Sequence, residues 1–397
     1  MKTEAFFAAV IRGALIGKTG APWVVTAASL PDITEDAKLS ISFNSETEAE
    51  KQIPGCLEKS TDGKIPAGIS VDCGGTKLNY LIAPDMAEMD KMRSQNKTAG
   101  WNTANCRFPG AGFGESRSLV VKNRIALVTG GAQGFGEEIS RGLVSAGALV
   151  FIADLNLAGA ARLAESLNGE YGRTTAIAVE VNVADEASVE KMTETIALTA
   201  GGLDLCVSNA GVLRAAPVLE QDIASFKFVT DINYTAFTII TKHCGLLMRA
   251  QNLCAQSLRA PAWTTDIIQI NSKSGLEGSN KNGAYAGSKF GSIGLVQSFA
   301  KELVDYGIKV NAVCPGNFFD GPLWADPEKG LFVQYLKTGK VPGAKTIADV
   351  KAFYEAKVPM GRGCTGPDVI RAILYLVEQE YETGQALPVT GGQVMLS

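Results

Sequence analysis

From about residue 119 onward the sequence predicts an α/β fold, a doubly wound and mainly parallel sheet, preceded by a small N-terminal extension of uncertain fold. Two observations carry the prediction. Strand-length apolar runs alternate with segments of helical period, and glycine-rich or polar turns follow the runs. Repeated strand–helix units put helices on both faces of a parallel sheet, so its strands read as continuous apolar runs. The expected division is residues 1–118 for the extension and 119–397 for the sheet domain, with a lid at about 317–358.

Ile125-Ala126-Leu127-Val128 is the first run. It leads into Thr129-Gly130-Gly131-Ala132-Gln133-Gly134-Phe135-Gly136 and a helical pattern through Ile139, Leu143 and Ala146. Leu149-Val150-Phe151-Ile152 is the second run and closes at Asp154. Strand, glycine turn, helix, strand and acid form a dinucleotide-binding layout. Glycines let the backbone approach a pyrophosphate, and the helix amino terminus offers free N–H groups and partial positive charge. Gly130, Gln133, Gly134, Phe135 and Gly136 are the candidate residues of that turn.

A carboxylate at Asp154 suits the adenosine ribose hydroxyls and repels a 2′-phosphate. No Arg or Lys occurs in Gly131-Ala132-Gln133 or directly after Asp154, so NAD is expected over NADP. A simple strand-end or helix-capping acid is the plainer reading of Asp154.

The alternation continues. Ala176–Val181 is a third strand, followed by Asn182-Val183 and a helix from about Asp185. Leu203–Val207 is a fourth, followed by Ser208-Asn209-Ala210-Gly211 and a long helical region containing Asp231-Ile232-Asn233-Tyr234. Ile267–Ile270 is a fifth, ending at Asn271-Ser272-Lys273-Ser274-Gly275, and Ile308–Val313 a sixth, ending at Cys314-Pro315-Gly316. Ligands of such sheets bind beyond the carboxyl ends of the strands, where Gly130, Asp154, Asn209, Ser272 and Pro315 fall.

Between the fifth and sixth strands lies Gly283-Ala284-Tyr285-Ala286-Gly287-Ser288-Lys289. On a helix, positions four apart share one face. An ammonium near a phenol stabilises phenolate; moving a pKa from roughly 10 to near 7 takes about 4 kcal/mol. A surface tyrosine beside a solvated lysine is the bland reading of the same spacing.

Composition narrows the function classes. The chain of 397 residues is 46% hydrophobic and 20% charged, which suits a soluble globular protein. A net charge of −4 gives no basic footprint for nucleic acid. Eight cysteines form no CxxC and His243 is the only histidine, so no Cys/His metal site and no disulfide framework are expected. His243 sits in a helical segment without a GxSxG elbow, which sets aside histidine-based nucleophilic catalysis. The amino-terminal run Ala5–Ile11 is interrupted by Arg12 and is too short to span a bilayer; Glu4 and Arg12 disfavour a signal peptide. A cytoplasmic location without membrane attachment is expected.

The extension offers fragments. Trp23-Val24-Val25-Thr26 and Ile69-Ser70-Val71 read as strands, with the acidic stretch Asn44–Glu50 between them. Asp72-Cys73-Gly74-Gly75-Thr76-Lys77 resembles a phosphate-gripping turn of actin-like sugar kinases, but a Gly-Gly turn between two strands explains it without requiring that much larger fold. Phe108–Ser116 reads as a linker.

From about Lys122 to Ser397 the chain resembles the short-chain dehydrogenase/reductase family. Thr129-Gly130-x-x-x-Gly134-x-Gly136, Asn209-Ala210-Gly211, Asn233, Ser272, Tyr285-x-x-x-Lys289 and Pro315-Gly316 match the family's motifs in order, and Ser272 precedes Tyr285 by thirteen positions, the usual family spacing. The resemblance implies a Rossmann sheet and a catalytic tetrad of Asn233, Ser272, Tyr285 and Lys289. Tyr285 would be the acid or base at the reacting oxygen, Ser272 would bond the same oxygen, and Lys289 would depress the Tyr285 pKa and hold the nicotinamide ribose. Asn233 would position a proton-relaying water. Asn209, Ala210 and Gly211 would line the adenosine side, Asn182 and Val183 would flank adenine, and Pro315 and Gly316 would border the nicotinamide. The family often has aspartate at the Asn182 position. Members are commonly dimers or tetramers, and a homo-oligomer is expected.

Asp266–Gly275, Lys357-Val358-Pro359-x-x-Arg362-Gly363-Cys364, Thr383-Gly384-Gln385 and Val389–Met395 are similar to the matching stretches of sorbitol-6-phosphate 2-dehydrogenases. That similarity implies a polyol phosphate and a ketose phosphate as the small-molecule substrates, with Ser272, Lys273, Tyr285 and Asn317 as substrate-binding residues. A phosphate needs cationic or N–H donors, and Lys273, Lys281, Lys329, Lys337, Lys340 and Lys345 are candidates. An unphosphorylated polyol or another secondary alcohol is the alternative substrate. A NAD-binding sensor or scaffold, with the extension as its output, is the alternative of another class. The extension itself departs from the family and reads as an added module, a remnant of a fused enzyme or an oligomer contact.

Overall fold

The computed structural model describes residues 1–28, 37–59, 64–95, 101–102, 120–258, 263–328, 330–337 and 339–395. The Phe108–Ser116 linker, the 118/119 division and Lys329 lie outside the described residues.

The extension runs α1 (Thr3–Thr19), β1 (Val24–Ala27), β2 (Lys38–Phe43), α2 (Glu46–Lys59), β3 (Lys64–Ile65), β4 (Gly68–Cys73), β5 (Thr76–Ala83), α3 (Met86–Gln95) and β6 (Trp101–Asn102). A four-stranded sheet in the order β1-β5-β4-β2 is its centre, and β3 pairs with β6. The Gly-Gly stretch is a hairpin turn joining β4 to β5, with Asp72 Oδ1 accepting from the Gly75 N–H at 3.0 Å. The acidic stretch Asn44–Glu50 starts α2. Ser45 Oγ accepts from the Glu48 N–H at 3.2 Å and Glu48 accepts from the Asn44 N–H at 2.9 Å.

The larger unit begins with β7 (Ile125–Thr129), α4 (Gly134–Ser145), β8 (Leu149–Asp154), α5 (Leu157–Tyr171), β9 (Ala176–Glu180), α6 (Glu186–Ala200) and β10 (Leu205–Ser208). It continues through α7 (Ile223–Thr230), α8 (Ala236–Leu258), β11 (Thr265–Ile270), α9 (Gly283–Leu303) and β12 (Ile308–Pro315). Three short helices follow, α10 (Pro322–Ala325), α11 (Leu331–Lys337) and α12 (Ile347–Glu355), before α13 (Gly366–Glu378) and β13 (Ala386–Val389). The seven strands form one parallel sheet in the order β13-β12-β11-β10-β7-β8-β9. The order reverses beside β7, so a crevice opens there between β7 and β10 at the carboxyl ends of the strands.

Strand side chains alternate between two cores. Leu127, Phe151, Cys206, Ile267 and Val310 face α6, α8 and α9, while Val128, Val150, Val207 and Ile268 face α4, α5 and α13. The seventh strand is absent from the sequence reading because Pro388 interrupts a short run. Proline, lacking an N–H, is tolerated on an edge strand, and β13 is an edge.

The extension is joined to this unit through buried contacts. Helix α1 is buried nearly all round and crosses α8, and Gly13 is the point of closest approach. A Cβ there would run into the Gln251 carbonyl and lie 2.9 Å from the Cys254 Cβ. Arg12, which the sequence reading treats as an interruption of an apolar run, is fully buried with Asp204 at the foot of β10. Its Nη1 donates to Asp204 Oδ1 at 2.9 Å, its Nη2 to Oδ2 at 2.7 Å and its Nε to the Trp23 carbonyl at 2.6 Å. Gln251 accepts from the same guanidinium and donates to Asp204 Oδ1 at 3.0 Å. Asp204 Oδ2 also accepts from the Ile125 N–H at 2.8 Å. Burial pushes the Asp204 carboxyl up, but the Arg12 charge and its hydrogen bonds outweigh this and hold it below the usual carboxylate range. Among the described residues no helix is long and apolar enough to cross a membrane.

Candidate active site

A cleft of about 1480 Å³ lies over the carboxyl ends of the strands. On its first wall the turn after β7 is held by two side chains. Thr129 Oγ1 accepts from the Asn209 and Ala210 N–H groups at 3.1 and 3.2 Å, and Asn209 Nδ2 donates to the Thr129 and Gly130 carbonyls at 3.0 and 3.1 Å. Gly136 cannot carry a side chain, because a Cβ would run into the Gly130 carbonyl oxygen. The turn is therefore a cradle that only bare backbone can form, and it fits a pyrophosphate at the start of α4. Gly130, Gln133, Gly134 and Phe135 line the cleft, whereas Gly136 packs behind them.

At the end of β8, Asp154 lines the cleft with both carboxylate oxygens engaged. Oδ2 accepts from the Ala132 N–H at 3.0 Å and Oδ1 from the Asn156 N–H at 2.9 Å. The acid thus orders the glycine turn and the start of α5 while presenting its charge to the cleft. Asn182 and Val183 follow β9, and Asn209, Ala210 and Gly211 follow β10, all on the cleft wall. Asn182 turns its Oδ1 to the Ala184 N–H at 3.1 Å.

The opposite end of the cleft carries Ser272, Lys273, Tyr285, Gly316 and Asn317. Ser272 ends the turn after β11, with its Oγ accepting from the Ser274 N–H at 3.1 Å. Tyr285 stands on the first turn of α9 and shares the cleft wall with Ser272. Burial raises the Tyr285 hydroxyl pKa, and the neighbouring Ser272 side chain offsets part of that rise. Lys289, one turn on, is 4% exposed. Its Nζ donates to the Ile270 carbonyl at 2.8 Å and lies 5.8 Å from the centroid of the Tyr285 ring. Burial brings its pKa down to about 8.

Asn233 sits in a one-turn widening of the helix, Asp231–Thr235, between α7 and α8. Such π-helical turns are frequent at functional sites because they re-aim a side chain. Its Oδ1 accepts from the Val212 N–H at 2.8 Å, and its Nδ2 donates to the Val212 carbonyl at 2.9 Å and to Ser288 Oγ at 3.3 Å. Asn233 and Lys289 stand behind the cleft wall, as does Pro315 at the end of β12; the Gly316 N–H bonds the Val389 carbonyl at 2.9 Å.

Two further contacts support the site, made by Asn271 with Lys289 and by Phe135 with Phe318. Asn271 Nδ2 donates to the Lys289 carbonyl at 3.0 Å and to Gln269 at 2.9 Å, tying the end of β11 to α9. Phe135 stacks on Phe318 with centroids 4.4 Å apart, joining the glycine turn to the segment after β12. That segment has its own aromatic core of Phe319, Trp324, Phe332, Tyr335 and Tyr354. Asn271 adjoins a candidate and could be flagged by its place at a strand end; the Phe135–Phe318 pairing has no local sequence signal.

The family model described as short chain dehydrogenase matches residues 124–325. The chain is 33% identical over 276 residues to sorbitol-6-phosphate 2-dehydrogenase of Escherichia coli (strain K12), covering 69% of this chain and 99% of that relative. The chain is a short-chain dehydrogenase. Within this family its fold is similar to the crystal structure of sorbitol-6-phosphate 2-dehydrogenase SrlD from Erwinia amylovora, at 37% identity and a TM-score of 0.61, over 68% of this chain and 100% of the other. It is also similar to the Pseudomonas aeruginosa RhlG/NADP active-site complex, at 26% identity and a TM-score of 0.59, over 70% and 99% of the two chains. As a short-chain dehydrogenase the protein is an oxidoreductase that uses a nicotinamide cofactor, and the N-terminal extension lies outside the matched residues.

Proposed function

We propose that the protein interconverts sorbitol 6-phosphate and fructose 6-phosphate with NAD, using Tyr285 as acid and base. The observation that carries the reaction type is Ser272 and Tyr285 together on the cleft wall, with Lys289 buried one turn behind and its Nζ 5.8 Å from the centroid of the Tyr285 ring. The substrate class is supported by the similarity to sorbitol-6-phosphate 2-dehydrogenases.

In the oxidation the Tyr285 hydroxyl, as phenolate, takes the proton of the C2 hydroxyl; in the reduction it returns that proton to the ketone oxygen. Ser272 Oγ bonds the same oxygen and fixes its distance from Tyr285. A nicotinamide cofactor held by the glycine turn and the Asn209 wall would supply the hydride chemistry at C2, as acceptor in the oxidation and donor in the reduction. Lys289 cannot set the acidity of Tyr285 alone, because burial raises the phenol while lowering the lysine's own pKa to about 8. A cationic nicotinamide ring beside them would favour the phenolate further. Asn233, pinned by Val212, stands on the Lys289 side of the wall, where a water relay from Lys289 would pass.

The NAD preference rests on Asp154. Its anchored negative charge opposes a ribose 2′-phosphate, and Leu155 and Asn156 after it supply no cation. The glycine cradle and the Asn209 clamp suit the pyrophosphate of either cofactor.

Kinetics with sorbitol against sorbitol 6-phosphate, and fructose against fructose 6-phosphate, test the substrate; efficient turnover of the free sugars alone rejects the phosphate assignment. Comparable efficiency with NAD and NADP rejects the cofactor assignment. Tyr285→Phe should lower kcat/KM about a hundred- to ten-thousandfold while NAD still binds. Unchanged turnover rejects the mechanism, and would leave a NAD-binding sensor as the better reading.

A further inference from the structure

Six lysines are sequence candidates for a substrate phosphate, and the fold separates the five among the described residues. Lys273, Lys281 and Lys340 line the cleft, whereas Lys337 and Lys345 do not. Lys273 is engaged: its Nζ pairs with Glu277 at 3.3 Å on the next turn. The cleft's acids are Asp154, committed to backbone N–H groups at the adenosine end, and Asp231 beneath α8.

Lys281 and Lys340 differ from Lys273 in having no ion pair among the described residues. Lys281 sits in the turn entering α9, four residues ahead of Tyr285 in the chain. Its φ of +58 is left-handed, a conformation that glycine or asparagine adopts at lower cost. A lysine kept in such a turn places a cation on the fixed wall of the cleft, next to Ser279 and Asn280, which also line it. Lys340 stands on the other side, after α11. Its Nζ lies 3.9 Å above the Tyr335 ring, and that ring packs against Trp324 and Tyr354 of the segment's aromatic core. Its stem is thereby fixed to residues 317–358 rather than to the sheet, and the cation–π contact leaves the charge intact.

We infer that Lys281 and Lys340 are the phosphate-recognition pair of this dehydrogenase, one from the fixed wall and one from the lid. The inference rests on the polyol phosphate reading above. The hexitol's C2 and its C6 phosphate lie toward opposite ends of the chain, so a substrate with C2 at Tyr285 reaches outward along the cleft. A dianionic phosphate between two ammonium groups bridges the wall to the lid, which couples substrate recognition to lid position. A free sugar lacks that bridge.

The test compares wild type, Lys281→Asn, Lys340→Met, the double variant and Lys337→Met. Asparagine keeps the left-handed turn at ease, and Lys337 is an exposed lid lysine away from the cleft. The readouts are the kcat/KM ratio of fructose 6-phosphate to fructose and the inhibition of fructose reduction by inorganic phosphate. The expected result is a ratio lowered about ten- to a hundredfold in each single variant, with phosphate inhibition weakened in parallel, and Lys337→Met unchanged. If wild type prefers the phosphate ester and the cleft variants keep that preference, this assignment falls while the substrate reading stands. If Lys337→Met loses as much as they do, diffuse charge rather than a site is responsible, and the assignment falls. If wild type has no preference for the ester, both readings fall.

Discussion

Replacing Arg12 by methionine removes the cation that pairs with Asp204 at the foot of β10, and the cost can be worked from the contacts. Arg12 and Asp204 are each 0% exposed. The substitution deletes two charge-assisted bonds to Asp204, one to Gln251 and one to the Trp23 carbonyl. Asp204 keeps the Ile125 N–H, Gln251 Nε2 and the through-space attraction of Arg124, but loses the cation paired with it. Removing one partner of a buried pair costs about 3–5 kcal/mol, because the other charge is left uncompensated. Urea unfolding should therefore show Arg12→Met destabilised by about that amount.

Two companion measurements identify the cause of that loss. Asp204→Asn in the Arg12→Met background should recover about 1–2 kcal/mol, since it removes the stranded charge while leaving an acceptor for Ile125. The defect should also shrink on acidification. In wild type the depressed Asp204 pKa contributes stability above the unfolded carboxylate pKa, and this is lost as pH falls through the folded value. In the variant the carboxyl pKa moves up instead, so lowering the pH neutralises the buried charge and closes the gap. A loss below about 1 kcal/mol for Arg12→Met, or no recovery in the double variant, would refute the account.

Other outcomes follow from the same contacts. Lys289 has a folded pKa of about 8 against about 10.4 unfolded, so its contribution to stability is full above the unfolded value and lost as pH falls through 8. Wild type should gain up to about 3 kcal/mol over that rising window relative to Lys289→Met; parallel pH–stability curves would contradict the burial argument. Asp154→Asn should shift the NAD/NADP ratio of kcat/KM toward NADP by about tenfold or more, read by steady-state kinetics; an unchanged ratio removes Asp154 from cofactor choice. Gly13→Ala forces a methyl against the Gln251 carbonyl and should lower stability by about 1–3 kcal/mol in thermal or urea unfolding, with a near-neutral result pointing to slack between α1 and α8.

The sheet was legible because its strands are buried on both faces and end in turns with distinct chemistry. Six strands lie within two or three residues of the apolar runs, and the fourth starts later than its run because Leu203 and Asp204 belong to the buried network at the strand's foot. Within the site, Tyr285, Ser272 and the glycine turn were readable from spacing, since each follows a strand or starts a helix. Their electrostatics were not: the Tyr285 pKa is set by burial that spacing does not encode. The extension was opaque for a related reason. Helix α1 is apolar on every side, so no periodic face betrays it, and the partners of Arg12 lie far along the chain. Which lysines reach the cleft likewise depends on how the segment after β12 folds over itself.

Arg12 and Gln251 are 239 residues apart in the chain. At ribosomal rates of about 5–20 residues per second, roughly ten to fifty seconds separate the synthesis of α1 from that of the helix it crosses. Over that interval Gly13 lacks the helix it crosses, and Arg12 lacks Gln251 throughout and Asp204 for most of it. One side of α1 can be covered early by the extension's own sheet and α2, whereas the side that meets α8 waits until most of the larger sheet has been synthesised.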